Sequence, residues 1–390
     1  MSLPPAIVLA AGEGTRLRPL TRNRPKPMLP AATKPILEHA LDGLVDAGVR
    51  EVTVVVGYRR ERVQSHVGST YRDATIEYVV QEKQLGTGHA VLQAESAIDG
   101  RCLVVNGDQL VDGRIVRDVV DRHDAGAAAT LGLIRRPVEG YGGVIVDDGR
   151  VRELVENPDD DRRYLLNAGV YALEPRAFDA IRGARPRDGD LSLVDGLSRA
   201  IESGEEVRGV VSEGLWADAT YPWDLLEIAT ELFEAGVVGR RRVDPSALVH
   251  ETAVLREPVV VGAGCEIGPG AVVGPAACLG ENATVESNAV VRGSVVDVDT
   301  RIGPAVTLLD CVTGVGVEVG AGTTVPGGPG DVRVGDRVFE GERLGALLAD
   351  RVVDRGGVTY VPGAVVGPDS RLDAGSTVRG TLPAETEVRT

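Results

Sequence analysis

Lysine is nearly absent from this chain of 390 residues: Lys26, Lys34 and Lys83 are the only three. Arginine supplies almost all of the 42 basic residues, set against 58 Asp and Glu, for a formal net charge of −16. A field of that sign repels polyanions, which argues against nucleic acid and anionic membrane as partners. The acidic, lysine-poor composition points to a salt-rich cytoplasm and a halophile, although a GC-biased genome would also favour arginine. Scarcity has a second use. A lysine kept at position 26 is harder to dismiss as decoration.

Cysteine is also sparse. Cys102, Cys265, Cys278 and Cys311 form no C-x-x-C pair, so buried reduced thiols are a better expectation than disulfides or zinc. No apolar run reaches 18 residues, so no membrane span is expected. The opening Met-Ser-Leu-Pro-Pro-Ala has no charged region and runs into a strand, so no signal peptide is expected and the localisation reads as cytoplasmic. Two familiar glycine motifs are missing. A Walker loop would need Gly-Lys-Ser/Thr after its spacer, and a dinucleotide fingerprint would need glycine where Leu17 stands.

What is present is concentrated in residues 8 to 30, V-L-A-A-G-E-G-T-R-L-R-P-L-T-R-N-R-P-K-P-M-L-P. An apolar strand, Ala6 to Ala11, enters a loop with Gly12 and Gly14. Arg16, Arg18, Arg22 and Arg24 follow, and then Lys26 between Pro25 and Pro27. Glycine lets backbone N–H groups approach a phosphate without a Cβ in the way. Arg16 and Lys26 can neutralise phosphate oxygens, one as a planar fork and the other as a point charge. The two prolines stiffen the backbone on either side of the ammonium. This is the chemistry of a nucleoside triphosphate site.

The stretch resembles G-x-G-T-R-L-R-P-L-T-x-x-x-P-K-P-M-L-P, the signature of sugar-1-phosphate nucleotidylyltransferases. It is similar in this to glucose-1-phosphate thymidylyltransferases and N-acetylglucosamine-1-phosphate uridylyltransferases. The resemblance implies catalytic roles for Arg16 and Lys26. It also implies nucleotide contacts from Leu9, Ala10, Ala11, Gly12, Gly14 and Thr15.

The first 235 residues alternate strands and helices, which argues for an α/β, Rossmann-like domain with a mixed, mostly parallel sheet. Pro35 to Ala47 reads as an amphipathic helix with Gly48 as its stop. Val52 to Val56, Thr75 to Val80 and Cys102 to Val105 read as buried strands. Ligands gather at the carboxyl ends of such strands, and the glycine loop, Gln81 and Asp108 all lie there.

Gln81 to Ala90, Q-E-K-Q-L-G-T-G-H-A, joins a strand end to a helix start. A Gln amide offers both a donor and an acceptor, which suits the edge of a pyrimidine. This segment resembles the family's Q-x-x-x-L-G-T-G-H-A, which implies nucleotide contacts at Gln81, Gly86 and Thr87. His89 is expected to be a helix-start residue.

Asn106-Gly107-Asp108 and Trp216-Ala217-Asp218 each end an apolar strand with a carboxylate. Paired carboxylates with open positions suit Mg²⁺, which completes its shell with substrate phosphates. The resemblance places Asp108 and Asp218 as the metal ligands. It also implies sugar contacts from Gly142, Glu156 and Asn167. One departure stands out: many relatives read Glu-Lys-Pro where this chain has Glu156-Asn157-Pro158, and the resemblance implies that the lysine facing the sugar phosphate in those relatives has no counterpart here.

Residues 236–248 read as a linker. Beyond it, Val249, Leu255, Val261, Ile267, Val273, Leu279, Val285 and Val291 recur every six residues, a period of neither helix nor strand. From 249 to 390 the chain resembles a left-handed hexapeptide β-helix, with a glycine-rich turn at 326–330 and a helix-like or irregular insert at 339–353. Some relatives use such a coil for acetyl transfer with a histidine base. The only histidine after residue 123 is His250, so oligomerisation, as a trimer or a multiple, is the favoured role.

The expected activity is transfer of a nucleotidyl group from UTP or dTTP to glucose 1-phosphate or N-acetylglucosamine 1-phosphate, with Mg²⁺. Two alternatives are a bifunctional uridylyltransferase and N-acetyltransferase, or a non-catalytic regulatory subunit of the same fold.

Overall fold

Strand Ala6–Ala10 is apolar at every position, and its side chains alternate between two cores. Ala6, Val8 and Ala10 pack in one cluster and Ile7 and Leu9 in another. A strand with both faces apolar must lie inside a sheet covered on both sides. The computed structural model describes residues 3–138, 140–187 and 189–389, and among these that strand is central.

Packing divides the chain into two units. The first comprises the residues up to Glu13, Pro25–Met28 and Ile36–Asp218; the second holds Gly14–Arg24, Leu29–Pro35 and everything from Ala219 onward.

The sheet of the first unit uses β1 (Ala6–Ala10), β2 (Glu51–Val56), β3 (Thr70–Tyr71), β4 (Ala74–Val80), β5 (Cys102–Asn106), β6 (Ala129–Ile134), β7 (Gly142–Asp147), β8 (Arg150–Glu156), β9 (Leu165–Leu173) and β10 (Val207–Val211). Their order across the sheet is β7-β8-β10-β6-β9-β5-β1-β2-β4-β3. The β4-β2-β1-β5 block is parallel. From β9 outward the pairings turn antiparallel, except that β10 runs parallel to β6. Parallel neighbours need helical crossovers, whereas β7 and β8 are joined by a tight hairpin.

Helices cover both faces. On one, α1 (Ile36–Ala47), α2 (Arg60–Val67) and α4 (Gly113–Arg122) bury Leu41, Val63 and Ile115; on the other, α3 (Thr87–Ala94), α5 (Pro175–Gly183) and α6 (Leu193–Glu202) bury Val91, Ile181 and Leu197. Asp112 caps α4 by accepting from Arg114 N at 2.7 Å. Such caps are worth about 1 kcal/mol.

From Ala219 onward the second unit has α7 (Asp224–Glu234) after the Ala219–Trp223 segment, and continues as a parallel coil of three stacked sheets with eight, eight and seven strands. Val249, Ile267, Val285, Ile302 and Val319 stand in register one above another, in keeping with a left-handed hexapeptide coil. This stacking explains the six-residue spacing: each coil takes three short strands, and one apolar residue per strand points inward.

Two details differ from the sequence expectation. Arg241–Val243 pairs in parallel with Val259–Val261, so the coil begins inside the stretch read as a linker. The irregular insert is an antiparallel ribbon, Gly330–Val334 with Arg337–Glu342, after which Ala346–Leu348 resumes the coil. Phe339 of the ribbon packs on Tyr221 and Trp223, with ring centroids at 4.5 and 5.3 Å. All four cysteines are buried and free.

Candidate active site

Lys26 opens a single 3₁₀ turn, Lys26–Met28, and is buried with 8% exposure. Its Nζ lies 3.0 Å from Asp108 Oδ2 and 2.5 Å from Asp218 Oδ1. Strand register brings the two acids together. Trp216–Asp218 pairs antiparallel with Gln109–Val111, which sets Asp218 opposite the residue after Asp108. Trp216 holds that ribbon in the core. Its Nε1 donates to Ala168 O at 3.0 Å, and its ring meets Tyr141 edge-on at 5.3 Å. Desolvation pulls the Lys26 pKa down, but Asp108 and then Asp218 outweigh it and raise it above the usual lysine range.

The carboxylates differ in access: the Asp218 side chain is 5% exposed and that of Asp108 38%. Two hard oxygen donors, one open to solvent, fit a divalent cation whose other ligands are water or substrate oxygens. Among the described residues no group of three or more His, Cys, Asp or Glu forms an all-protein cage, so this donor set suits a cation shared with phosphate.

At the end of β1, Ala11 O accepts from Gln84 Nε2 at 2.9 Å and from Tyr58 N at 3.3 Å. Those bonds hold the backbone of Leu9, Ala10 and Ala11 as it enters Gly12. The segment Gly57 to Arg60, with Gln81 and Gln84, borders an open crevice of about 490 Å³, a size suited to a nucleotide. Gln81 is buried, and its Nε2 donates to Gly86 O at 3.1 Å and lies 2.9 Å from His89 Nδ1. His89 is thus a buttress for the Gln81 amide, a role its place at a helix start did not reveal. Gly86 has φ of 97°, and a Cβ there would sit 2.2 Å from Asp190 Oδ1, so only glycine fits. Thr87 Oγ1 accepts from Leu193 N at 2.9 Å.

In the second unit, left-handed Gly14 leads into the turn Thr15–Leu17, and Thr21 Oγ1 donates to Gly14 O at 2.8 Å. Thr15 and Arg16 are exposed there. Arg24 is not free for a ligand. Its largely covered side chain is in an ion pair with Asp297 of the coil, and Asn23 Nδ2 donates to Asp350 Oδ2 at 3.3 Å.

The three residues expected to hold a sugar meet on one wall. Gly142 stands opposite Glu156 across the β7–β8 ladder. A Cβ on Gly142 would lie 3.6 Å from Asn167 Nδ2 and 3.9 Å from Glu156 Oε2. Asn167 Nδ2 donates to Tyr171 OH at 2.8 Å and Oδ1 accepts from Gly169 N at 3.2 Å, which locks the amide. Although Glu156 as a residue is exposed, enough protein surrounds its carboxylate that desolvation raises its pKa. Asn157 takes a left-handed φ of 54°, a conformation that Asn tolerates better than Lys. Ser192, not among the residues expected from the motifs, caps α6 and donates to Glu156 Oε1 at 3.3 Å. Its signal was modest: a Ser directly before an apolar periodic run.

The model of the nucleotidyl transferase family matches residues 5–234. The chain belongs to that family. A second model, the GMPPB C-terminal domain, matches residues 237–328. Among relatives, the bifunctional protein GlmU of Methanococcus vannielii is 39% identical over 229 residues, 57% of this chain and 53% of that protein. The UTP–glucose-1-phosphate uridylyltransferase AglF of Haloferax volcanii is 34% identical over 235 residues, 59% of this chain and 96% of that protein. The chain thus spans about half the length of GlmU. A UDP-glucose pyrophosphorylase solved with UDP-glucose has a TM-score of 0.54 at 21% identity, covering 60% of this chain and 99% of that one. The inositol-1-phosphate CTP transferase from T. maritima gives 0.50 at 22% identity, covering 57% and 92%. At that identity the likeness is one of fold.

Proposed function

We propose that this nucleotidyl transferase moves a uridylyl or thymidylyl group from UTP or dTTP to a sugar 1-phosphate. The observation that carries the reading is Lys26 held between Asp108 and Asp218. A phosphate oxygen of the sugar 1-phosphate attacks the α-phosphorus, the α–β bridge breaks, and pyrophosphate leaves with the bond's electron pair. No covalent enzyme intermediate is needed, so catalysis is positioning and charge neutralisation.

Lys26 neutralises the α-phosphate and the sugar phosphate, and Arg16 the departing pyrophosphate. Asp108 and Asp218 would hold Mg²⁺, which supplies Lewis-acid stabilisation of phosphate charge when bound. Leu9 to Gly12, with Gly14 and Thr15, give the backbone path along the nucleotide. Gln81, with its Nε2 committed to Gly86 and His89, turns Oε1 to the N–H of the base, and Gly86 and Thr87 frame the ring. Gly142, Glu156 and Asn167 grip sugar hydroxyls.

The test is pyrophosphate release with Mg²⁺, crossing UTP, dTTP, ATP and GTP against glucose 1-phosphate, N-acetylglucosamine 1-phosphate and glucosamine 1-phosphate. Release with UTP or dTTP and one sugar, abolished by chelation, is the expected result. Silence for every pair in folded, Mg²⁺-supplied protein sinks the reading and favours a regulatory subunit.

A further inference from the structure

The turn read as nucleotide-binding and the carboxylate read as sugar-binding belong to different elements, α3 and β8, yet one short segment touches both. Leu191 N donates to Leu85 O at 2.8 Å, and Leu191 O accepts from Gly88 N at 2.8 Å and His89 N at 3.3 Å. Leu193 N donates to Thr87 Oγ1 at 2.9 Å. Ser192, between them, therefore has a backbone laced to the 85–89 turn on both sides.

Its hydroxyl has one hydrogen to give. The oxygen accepts from Val194 N at 3.0 Å, as a helix cap does, and the hydroxyl donates to Glu156 Oε1 at 3.3 Å. The cap fixes where the oxygen sits, and the lacing fixes the cap. We infer that Ser192 is a positioning residue that ties the Glu156 carboxylate to the Leu85–His89 turn, so that the sugar grip and the base grip move as one piece. This rests on the function proposed above and adds to it a coupling between the two substrates.

The charge around Glu156 bears on how this is tested. Burial raises its pKa, the Ser192 hydroxyl lowers it, and Asp195 and Asp190 oppose Arg187 nearby; Tyr171 faces the same carboxylate. Deleting the hydroxyl therefore moves the carboxyl further upward, which loss of a helix cap alone would not do.

The experiment compares wild type, Ser192→Gly and Ser192→Thr. Glycine keeps most of the capping preference, and threonine keeps the hydroxyl. For S192G, KM for the sugar 1-phosphate should rise about 10- to 150-fold, the scale of a hydrogen bond to a charged group. Kd for the nucleoside triphosphate without sugar should stay within about twofold, whereas the tightening of sugar binding by saturating nucleotide, and of nucleotide binding by sugar, should be lost in S192G and restored with the sugar value in S192T. The acid limb of kcat/KM for the sugar should move to higher pH, and a carboxyl-carbon NMR titration of Glu156 should move with it. An active wild type with both the sugar KM and the Glu156 titration unmoved in S192G overturns the proposal. A wild type silent in pyrophosphate release overturns the underlying reaction, and the coupling falls with it even where the Glu156 titration shifts.

Discussion

The ammonium of Lys26 lies 2.5 Å from Asp218 Oδ1, and the Asp218 side chain is nearly sealed from solvent. Asp108 completes the group at 3.0 Å. One cation between two carboxylates leaves a net negative charge, which suits a site that receives a further cation together with phosphate. Neither buried partner can be removed cheaply, because the survivor keeps its desolvation cost without its counter-charge.

Lys26→Ala should lower kcat by roughly 10²–10³, the scale of losing one preorganised electrostatic contact. D218N should destabilise more than D108N, approaching the roughly 3–5 kcal/mol seen when a buried pair is broken, because Asp218 is the more enclosed acid. The Lys26 pKa is raised in the fold, so its contribution is complete below the unfolded value of about 10.4 and fades as pH climbs through the folded one. The melting gap between wild type and K26M should be flat from pH 6 to 9 and close only in stronger alkali. A gap that changes around neutrality would contradict this.

Glu156 also has a raised pKa, but there the fold favours the neutral form. Its raised pKa means the ionised form is disfavoured in the fold, so stability is lost as pH rises from the unfolded value of about 4.3 through the folded one. E156Q should therefore melt at or above the wild-type temperature at pH 7, with the difference vanishing below about pH 4. Sugar-dependent turnover should fall by at least tenfold in the same variant. Calorimetry across pH, paired with the pyrophosphate assay, separates the two effects.

Arg24 sits in the signature stretch, yet its guanidinium is spent on Asp297. Desolvation lowers its pKa, but Asp297 and Asp350 more than compensate and raise it. R24M and D297L should each destabilise the protein by about 3–5 kcal/mol, whereas the two combined should recover most of that loss. Urea unfolding of the two single variants and the double variant gives the coupling directly. Additive losses would mean that the pair contributes nothing as a pair.

With a net charge of −16 and three lysines, self-repulsion should weaken folding at low ionic strength, where the Debye length is about 30 Å near 0.01 M. The melting temperature and the turnover number should both rise between low and molar salt. Values that stay level would assign the missing lysines to genomic composition instead.

The sequence by itself determined the two architectures and the chemistry in each motif. Apolar strands alternating with amphipathic helices read as a covered sheet, and the hexad spacing read as a coil, because both rest on local periodicity. The strands at 6, 52, 75 and 102 came within a residue or so of their observed bounds for the same reason. Tertiary structure decided what local pattern does not encode. Only the pairing of Trp216–Asp218 with Gln109–Val111 puts the two acids on one ammonium, since register between distant strands depends on the whole sheet. Only packing gives Arg24 to the coil, and only the fold sets Ser192 against Glu156 and His89 behind Gln81. Such long-range partnerships leave no mark on residue spacing, because each partner is an ordinary cap, turn or helix residue in its own stretch.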